Sequence, residues 1–499
     1  MFGFFKPRCP IDIREKTWIE LRMQWLLERL GAERIAEVEV LTPSPAHFPE
    51  AYSGSAADVE RIFTLVCERM GVRRNSVELK IFAGARPNPQ VLNQNSVALG
   101  LYESRESDSD DHKIWIAKQQ TEDPANLIAT AAHELAHCLL LGGNLLQSAD
   151  LDHEFITDLL PVLLGFGIFL ANSVVQESTH WAGPYLSWWS IRKSGYLPPR
   201  MFGYALALFA WYRGDDGAWS KYLRGDPRQV FKSGLAYLKR TNDSLCHPQF
   251  RTGRAAPSRL CDRLSDQNAG IRLQAVWELR RPDEPPPGDP EWAALLEMFA
   301  GRDPILIVEA ATAITAVGRL DHRVVAHGLS LLERFDHQPA VVSAAARALA
   351  TQKDVIDSSS QIRRQLADQI WKLLDHPAQD VVIAGLTAVR QLTPAGDPLT
   401  QQRLLRLLRR GLANCDEVLT QSAVQAIRAT VSNPHQVIRD FFRDDPDLTC
   451  LVEAALEADF NETEQRPVRL PTRNSLPIPL PGWTLGEILS PVPIHTPPV

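Results

Sequence analysis

The motif His133-Glu134-Leu135-Ala136-His137 is the sequence feature that constrains this chain most. In an α-helix, residues i and i+4 lie one above the other, whereas a residue at i+1 points about 100° away around the axis. On a helix, the two histidines could therefore hold one metal ion. Glu134 would then reach a water molecule at that metal without being a ligand itself.

The residues around the motif predict a helix that is buried in a domain core. Asp123-Pro124 is typical of a helix start, and Gly142-Gly143 is typical of a helix end. The predicted helix, residues 124–141, has apolar residues on nearly all of its sides. Two histidines and a glutamate in such an apolar helix need polar partners.

The next helical stretch offers a third ligand for such a metal. A catalytic zinc site uses three protein ligands and leaves a fourth position open. Glu154 follows His137 after sixteen intervening residues, and Asp158 lies one helical turn further on. One of these carboxylates could bind the metal while the other holds a histidine ring in place.

With these residues the chain resembles the gluzincin metallopeptidases, in which HExxH is followed by ExxxD on a second helix. The resemblance implies one Zn²⁺ per chain, bound by His133, His137 and Glu154. It implies that Glu134 is the catalytic general base of a peptidase that hydrolyses a protein or peptide substrate. It also implies that Asp158 accepts a hydrogen bond from the second ring nitrogen of His133.

The spacing of the two motifs departs from the family, because the gap is a little shorter than gluzincins usually have. Three other residues therefore stay open as the third ligand: Asp150, Asp152 and His153. The metzincin zinc peptidases are excluded, because Leu140 and Gly143 stand where their pattern requires glycine and histidine.

Residues 159–175 contain no charge, which raises the alternative of a membrane-spanning protease. The segment is shorter than the usual membrane span, and Pro161, Gly165 and Gly167 interrupt it. We therefore expect no membrane association. Instead we predict a buried second zinc helix over residues 154–175.

Residues 1–250 mix helical and strand patterns and predict an α+β domain with a small mixed sheet. The predicted helices are residues 11–30 and 57–70, and the predicted strands are residues 37–41, 77–82, 97–102 and 113–117. A sheet directly before the HExxH helix is what the zincin fold of the resembled family requires. By that resemblance, residues 113–117 form the sheet edge beside the cleft, where an extended peptide could add. The acidic residues 104–111 predict a solvated loop.

The segment 180–240 is rich in aromatic residues, most of which we expect in the core of a helical part of this domain. A metallopeptidase also needs a donor for the oxyanion of its tetrahedral intermediate. His180, Tyr185 and Tyr204 are the candidates in this segment. A structural role is favoured for each of them, so we assign none to the site.

The second half of the chain repeats. Polar junctions recur at Asp266, Asp303, Asp336, Asp375 and Asn414, which are separated by 37, 33, 39 and 39 residues. Each junction precedes an alanine- and valine-rich helix, and such a period predicts an all-α solenoid. The predicted helices are residues 269–280, 305–317, 340–350, 381–392 and 418–431.

The repeats resemble HEAT repeats over residues 255–432, and the resemblance implies a surface that binds a protein partner or the substrate. A simple buttress for the first domain is the alternative. Residues 433–460 predict capping helices, and the proline-rich residues 461–499 predict an extended tail.

Composition places the chain among globular proteins of a reducing compartment. The net charge is −7, with 44% apolar and 23% charged residues, so nothing indicates nucleic-acid binding. The seven cysteines are scattered, without a CxxC pair or a disulfide-rich cluster. The first residues lack the apolar core of a secretory signal, so we expect a cytoplasmic protein.

Two classes of function follow from these features. The first is a zinc-dependent peptidase whose helical repeats select or present a protein. The second is a non-catalytic scaffold, in which the first domain keeps a structural or vestigial metal site. The complete set of His133, Glu134, His137 and Glu154 favours the peptidase, because a decayed site usually lacks at least one such group.

Overall fold

A computed structural model describes most of the chain. The described residues are 8–48, 51–83, 100–103, 112–143, 145–146, 152–178, 197–246, 259–280, 285–392, 398–414, 416–445, 448–449, 452–453 and 456. They form two compact units, one within residues 8–246 and one within residues 259–456. The first unit is α+β and the second is all-α, as the sequence predicts.

The first unit begins with helices α1 (Ile13–Leu30), α2 (Ala32–Glu37) and α3 (Ala56–Met70). The predicted strand at residues 37–41 is wrong, because α2 extends to Glu37 and residues 38–41 form no strand. The Leu41 N–H instead donates to the Gly165 carbonyl at 2.9 Å, and the Leu41 side chain is buried. Of this alternating segment only Leu41 is therefore packed in the core, and it is held there without a strand partner.

A three-stranded sheet follows, with strands β1 (Val77–Phe82), β2 (Gly100–Glu103) and β3 (His112–Ala117) in the order β1-β3-β2. β1 pairs with β3 in parallel, and β2 pairs with β3 antiparallel. The prediction that residues 113–117 form the sheet edge is wrong, because β3 has a hydrogen-bonded strand on both sides. Within the described part of the sheet, the edges are β1 and β2. Residues 97–99 of the third predicted strand and the acidic loop 104–111 lie outside the described residues.

Helix α4 (Pro124–Leu140) carries the HExxH motif and is buried along most of its length. The Asp123 side chain caps this helix by accepting a hydrogen bond from the Ala125 N–H, as the sequence predicts. α4 packs against α3, against β2 and β3, and against the two helices that follow it. These neighbours on several sides explain why α4 is apolar nearly all round.

Residues 154–175 form two helices rather than the predicted single one: α5 (His153–Leu163) and α6 (Gly167–Ser178). The chain turns between them at Gly165, whose φ of 89° lies in the left-handed region that favours glycine. Residues 155–171 are all buried, so the uncharged segment lies in the core of the unit. None of the helices in the described ranges combines the length and the apolarity that crossing a bilayer requires.

Helices α7 (Pro199–Arg213) and α8 (Gly225–Thr241) follow and pack on each other. α7 also contacts α1, α5 and α6. Tyr204 of α7 is fully buried and donates a hydrogen bond to Glu20 of α1 at 2.7 Å, which is a structural role. The other two aromatic-segment candidates, His180 and Tyr185, lie outside the described residues.

The second unit contains twelve helices among its described residues. They are α9 (Leu260–Leu264), α10 (Ala269–Leu279), α11 (Asp289–Phe299), α12 (Pro304–Val317), α13 (His322–Arg334), α14 (Pro339–Ala350), α15 (Lys353–Asp357), α16 (Ser360–Leu374), α17 (Gln379–Leu392), α18 (Pro398–Ala413), α19 (Glu417–Thr430) and α20 (Pro434–Phe441). The five helices that the repeat predicts correspond to α10, α12, α14, α17 and α19, and their ends agree within two residues.

These helices pack as consecutive pairs. α9 packs on α10, α11 on α12, α13 on α14, α16 on α17, and α18 on α19. The second helices of the pairs also pack on one another in series, from α10 through α12, α14 and α17 to α19. Small residues permit this close packing, since a Cβ at Gly328 of α13 would lie 2.8 Å from the Leu349 side chain of α14. Serial packing of this kind is typical of helical repeats.

Gly165→Ala should destabilise the first unit by about 2–4 kcal/mol, because alanine is strained at positive φ and its Cβ would meet the Glu39 carbonyl. Gly214→Ala is the matched control, since Gly214 has a φ of 73° but nothing within 4 Å of an added Cβ. It should lose only about 1 kcal/mol. Urea unfolding measures both free energies, and equal losses would mean that the close contact at Gly165 has no energetic weight.

Candidate metal centre

Two histidines of α4 and one glutamate of α5 converge on a common point. The Nε2 atoms of His133 and His137 lie 3.4 and 3.3 Å from Glu154 Oε2. One potential ligand atom from each of the three residues lies within 4.8 Å of the others. Ligand atoms bound tetrahedrally to zinc at about 2.0–2.1 Å lie about 3.3–3.4 Å apart. The donor types, and the distance of each histidine from Glu154, therefore fit a zinc ion.

The remaining ring nitrogens of both histidines have partners on α5. His133 Nδ1 lies 2.9 Å from Asp158 Oδ1, and His137 Nδ1 lies 3.3 Å from Thr157 Oγ1. Asp158 is itself held, because its Oδ2 accepts a hydrogen bond from the Leu197 N–H at 2.7 Å. Such contacts orient each ring so that Nε2 faces the metal position. One turn of α5 thus supplies Glu154 together with both orienting groups.

The alternative third ligands are placed differently. Asp152 lies just before α5, and its carboxylate accepts hydrogen bonds from a tryptophan and an arginine of α1. His153 Nε2 lies 3.1 Å from Glu154 Oε1, the oxygen that does not face the α4 histidines. His153 therefore contacts the candidate ligand from outside the group of three. Asp150 lies outside the described residues.

Glu134 occupies the position next to the first histidine on α4 and is only 5% exposed. Its Oε2 is buried and makes no hydrogen bond within the described part of the chain. A buried carboxylate oxygen without a donor is unfavourable unless a ligand or water molecule supplies one. Glu134 is thus poised to accept a proton or a hydrogen bond from a molecule that enters the site.

Burial and these contacts set the charges of the site. Burial disfavours the charged form of Glu154, but hydrogen bonds with three histidine rings outweigh it and hold the Glu154 pKa well below its usual range. Burial also disfavours the imidazolium form of His133, but the Asp158 and Glu154 carboxylates raise the His133 pKa well above its usual value. Burial raises the pKa of Glu134 against the opposing effect of the two histidines. Glu154 therefore remains an anion at neutral pH, which suits a cation site.

Tyr102 and His112 lie beside the site, although no sequence pattern predicts that they belong there. The Tyr102 ring is nearly parallel to the His137 ring, with centroids 6.1 Å apart and planes at 19°. The Tyr102 hydroxyl lies 3.0 Å from His112 Nδ1. Gly142, just after α4, packs closely against both side chains. A Cβ at this position would lie 2.9 Å from the Tyr102 hydroxyl and 2.8 Å from the His112 ring. These contacts depend on how the sheet packs on α4, which no local pattern reveals.

Asp158→Ala should destabilise the metal-free protein and weaken zinc binding. The change removes the acceptor of the Leu197 N–H and the partner of His133 in a buried place, which lowers the free energy of unfolding by about 2–4 kcal/mol. Zinc affinity should fall about 10- to 100-fold. Urea unfolding with a chelator present measures the first effect, and zinc titration against a competing chelator measures the second.

Thr157→Val is the comparison for this variant, because it removes the longer 3.3 Å contact with His137 and, besides that, a hydrogen bond to the His153 carbonyl within α5. Its effect on zinc affinity should be smaller. Wild-type zinc affinity in Asp158→Ala would show that this carboxylate does not orient His133.

No protein-family model matches the chain, and neither the curated proteins nor the solved structures include a match. The geometry of the candidate metal site is therefore the observation from which a function can be inferred.

Proposed function

We propose that this protein is a zinc-dependent peptidase of the gluzincin type. One observation carries the proposal. His133, His137 and Glu154 converge, with each histidine at zinc-ligand distance from Glu154. Beside them lies Glu134 Oε2, which is buried and accepts no hydrogen bond from the described residues. Two imidazole nitrogens and one carboxylate oxygen are the ligand set of catalytic zinc sites that keep a fourth position open. A purely structural zinc site would need a fourth protein ligand, and the described residues place none in the group.

Each residue of the site has a defined task in this proposal. His133, His137 and Glu154 would hold the ion, while Asp158 and Thr157 keep the two rings in the tautomer and orientation that present Nε2. When bound, zinc polarises a carbonyl group and makes a water molecule more acidic. Glu134 accepts the proton of the attacking water at its carboxylate. It then delivers this proton to the amine that leaves the cleaved peptide bond.

The protein around the site supports water activation. The α4 residues of the motif are at most 9% exposed, and α3, α5, α6 and the sheet surround this helix. Electrostatic interactions are stronger where water is excluded, so a carboxylate and a cation act on each other more effectively here than on an open surface. Glu154 is the most exposed member of the group, with a side chain 25% accessible, so a substrate could approach from its side.

The second unit supports a role in protein binding, which we propose as its contribution to selecting a substrate or partner. Its helix pairs pack on one another in series, which is how HEAT repeats stack. The same observation favours the competing function, a binding scaffold in which the metal site has no catalytic role. Metal content and hydrolysis, measured on the same preparations, distinguish the two functions.

Glu134→Gln should retain about one zinc per chain and lose peptide hydrolysis by at least a factor of about 100, because glutamine keeps the shape but cannot accept the proton. His137→Ala and Glu154→Ala should lose both zinc and hydrolysis. Elemental analysis gives the metal content, and mass spectrometry of a peptide library gives the cleavage. Glu122→Gln, at an exposed glutamate just before α4, is the matched control and should change neither.

Full hydrolysis by Glu134→Gln would remove Glu134 from the mechanism. A wild-type protein that binds zinc but cleaves no peptide would favour the scaffold, in which the metal site is vestigial. Absence of zinc in the wild type after reconstitution would overturn the metal site itself.

A further inference from the structure

Helix α1 forms hydrogen bonds with Asp152, the residue that directly precedes α5. Asp152 Oδ2 accepts hydrogen bonds from Trp18 Nε1 at 2.9 Å and from Arg22 Nε at 2.9 Å. A second guanidinium nitrogen of Arg22 binds the same oxygen. Trp18 and Arg22 lie four residues apart, on one face of α1. They reach across about 130 residues of sequence to hold one carboxylate.

The same face of α1 also contacts the first turn of α5. The Trp18 ring packs edge-on against Phe155, with centroids 5.8 Å apart and planes at 86°. Arg22 is 1% exposed, and Trp18 and Asp152 are no more than 9% exposed, so all of these contacts lie in the core. The residues on both sides of His153 and Glu154 are therefore anchored to α1.

This anchor matters because Glu154 depends on tertiary structure more than its two fellow ligands do. His133 and His137 share one helix, whose geometry sets their separation. Glu154 comes from another helix, so its distance from the histidines depends on where α5 lies. A metal site tolerates displacements of only about 0.2 Å in its ligand distances. A small slide of α5 along its axis would move Glu154, and Thr157 with it, away from α4.

The contacts of the Arg22–Asp152 ion pair indicate that it positions α5 rather than stabilises the fold. Arg22 Nη1 and Asp152 Oδ1 are buried and make no hydrogen bond within the described ranges. Removing charges from water is costly, so an incompletely satisfied buried ion pair is a poor source of stability. The two hydrogen bonds from Arg22 and the one from Trp18 to the same oxygen nevertheless restrict where Asp152 can lie.

We infer that Trp18 and Arg22, acting through Asp152, are positioning residues that hold Glu154 in register with His133 and His137. The inference rests on the proposed zinc site. It assigns α1, which lies more than 100 residues before the motif, a direct part in building the metal centre.

The test compares Trp18→Phe and Asp152→Asn with wild type in the full-length protein. Trp18→Phe keeps the ring on Phe155 and removes one donor, so zinc affinity should fall at least about threefold. Asp152→Asn breaks the ion pair, and zinc affinity should fall about tenfold or more. Zinc titration against a competing chelator gives these ratios. The visible spectrum of the Co²⁺-loaded protein should also change in Asp152→Asn, because a displaced Glu154 alters the geometry around the metal.

Arg200→Gln is the matched control, because it breaks another ion pair of α1, at 2.6 Å from Glu15, that does not involve α5. It should lower the stability of the metal-free protein without changing zinc affinity or the Co²⁺ spectrum. Stability is measured by urea unfolding with a chelator present, so a general loss of stability is separated from misplacement of Glu154.

Wild-type zinc affinity and an unchanged Co²⁺ spectrum in both α1–α5 variants would overturn the inference, whatever their stability. If Asp152→Asn does not fold, the milder Trp18→Phe decides by the same two readouts. Neither readout requires hydrolysis. A wild type that binds zinc without cleaving peptides would therefore contradict the proposed peptidase, but the zinc affinities and Co²⁺ spectra of the variants would still test the positioning role of α1. A wild type that binds no zinc overturns both.

Discussion

The first unit depends on one constraint, the burial of His133, Glu134 and His137 in an otherwise apolar helix. Polar groups removed from water need partners, and α5 supplies them through Asp158 and Thr157 at the histidine Nδ1 atoms. The sheet, α3 and α6 close the remaining sides of α4. Glu134 Oε2 is the oxygen of this motif that is buried without a donor among the described contacts. In the proposed reaction, this buried oxygen would accept the proton of a water molecule that enters the site.

The second unit is stabilised in a different way. Its helices bury alanine, valine and leucine side chains against their neighbours, and polar side chains are used mainly at helix ends, where Asp303 and Asp321 cap α12 and α13. A buried exception is Glu309, which accepts hydrogen bonds from Trp277 and Arg280 of the preceding pair. Contacts between neighbouring pairs dominate, so such an array tolerates variation at its surface. Such an array suits the binding role proposed for it, whereas the candidate site of the first unit gathers its polar groups at one point.

Elements with strong local signals were the predictable ones. Asp123 and the apolar run after it predict α4, and the junction spacing predicts five helices of the second unit within two residues at each end. The wrong predictions concern strand pairing and strand order, which the local sequence pattern does not determine. Residues 37–41 alternate acidic and apolar residues as a strand would, but no strand forms and only Leu41 is buried in the core. Residues 113–117 do form a strand, but strand order depends on pairing between distant segments, and β3 lies in the middle.

The sequence by itself determined the chemistry that can occur here, because HExxH on a helix places two imidazoles on one face and the glutamate beside them. It also determined that a carboxylate follows at Glu154 with a second one turn later. Only the tertiary structure decided which carboxylate meets the histidines, since Asp152 is taken by α1 and Asp158 by His133. The physical reason is that helical spacing acts within one element, whereas the approach of α5 to α4 is set by packing against residues more than 100 positions away.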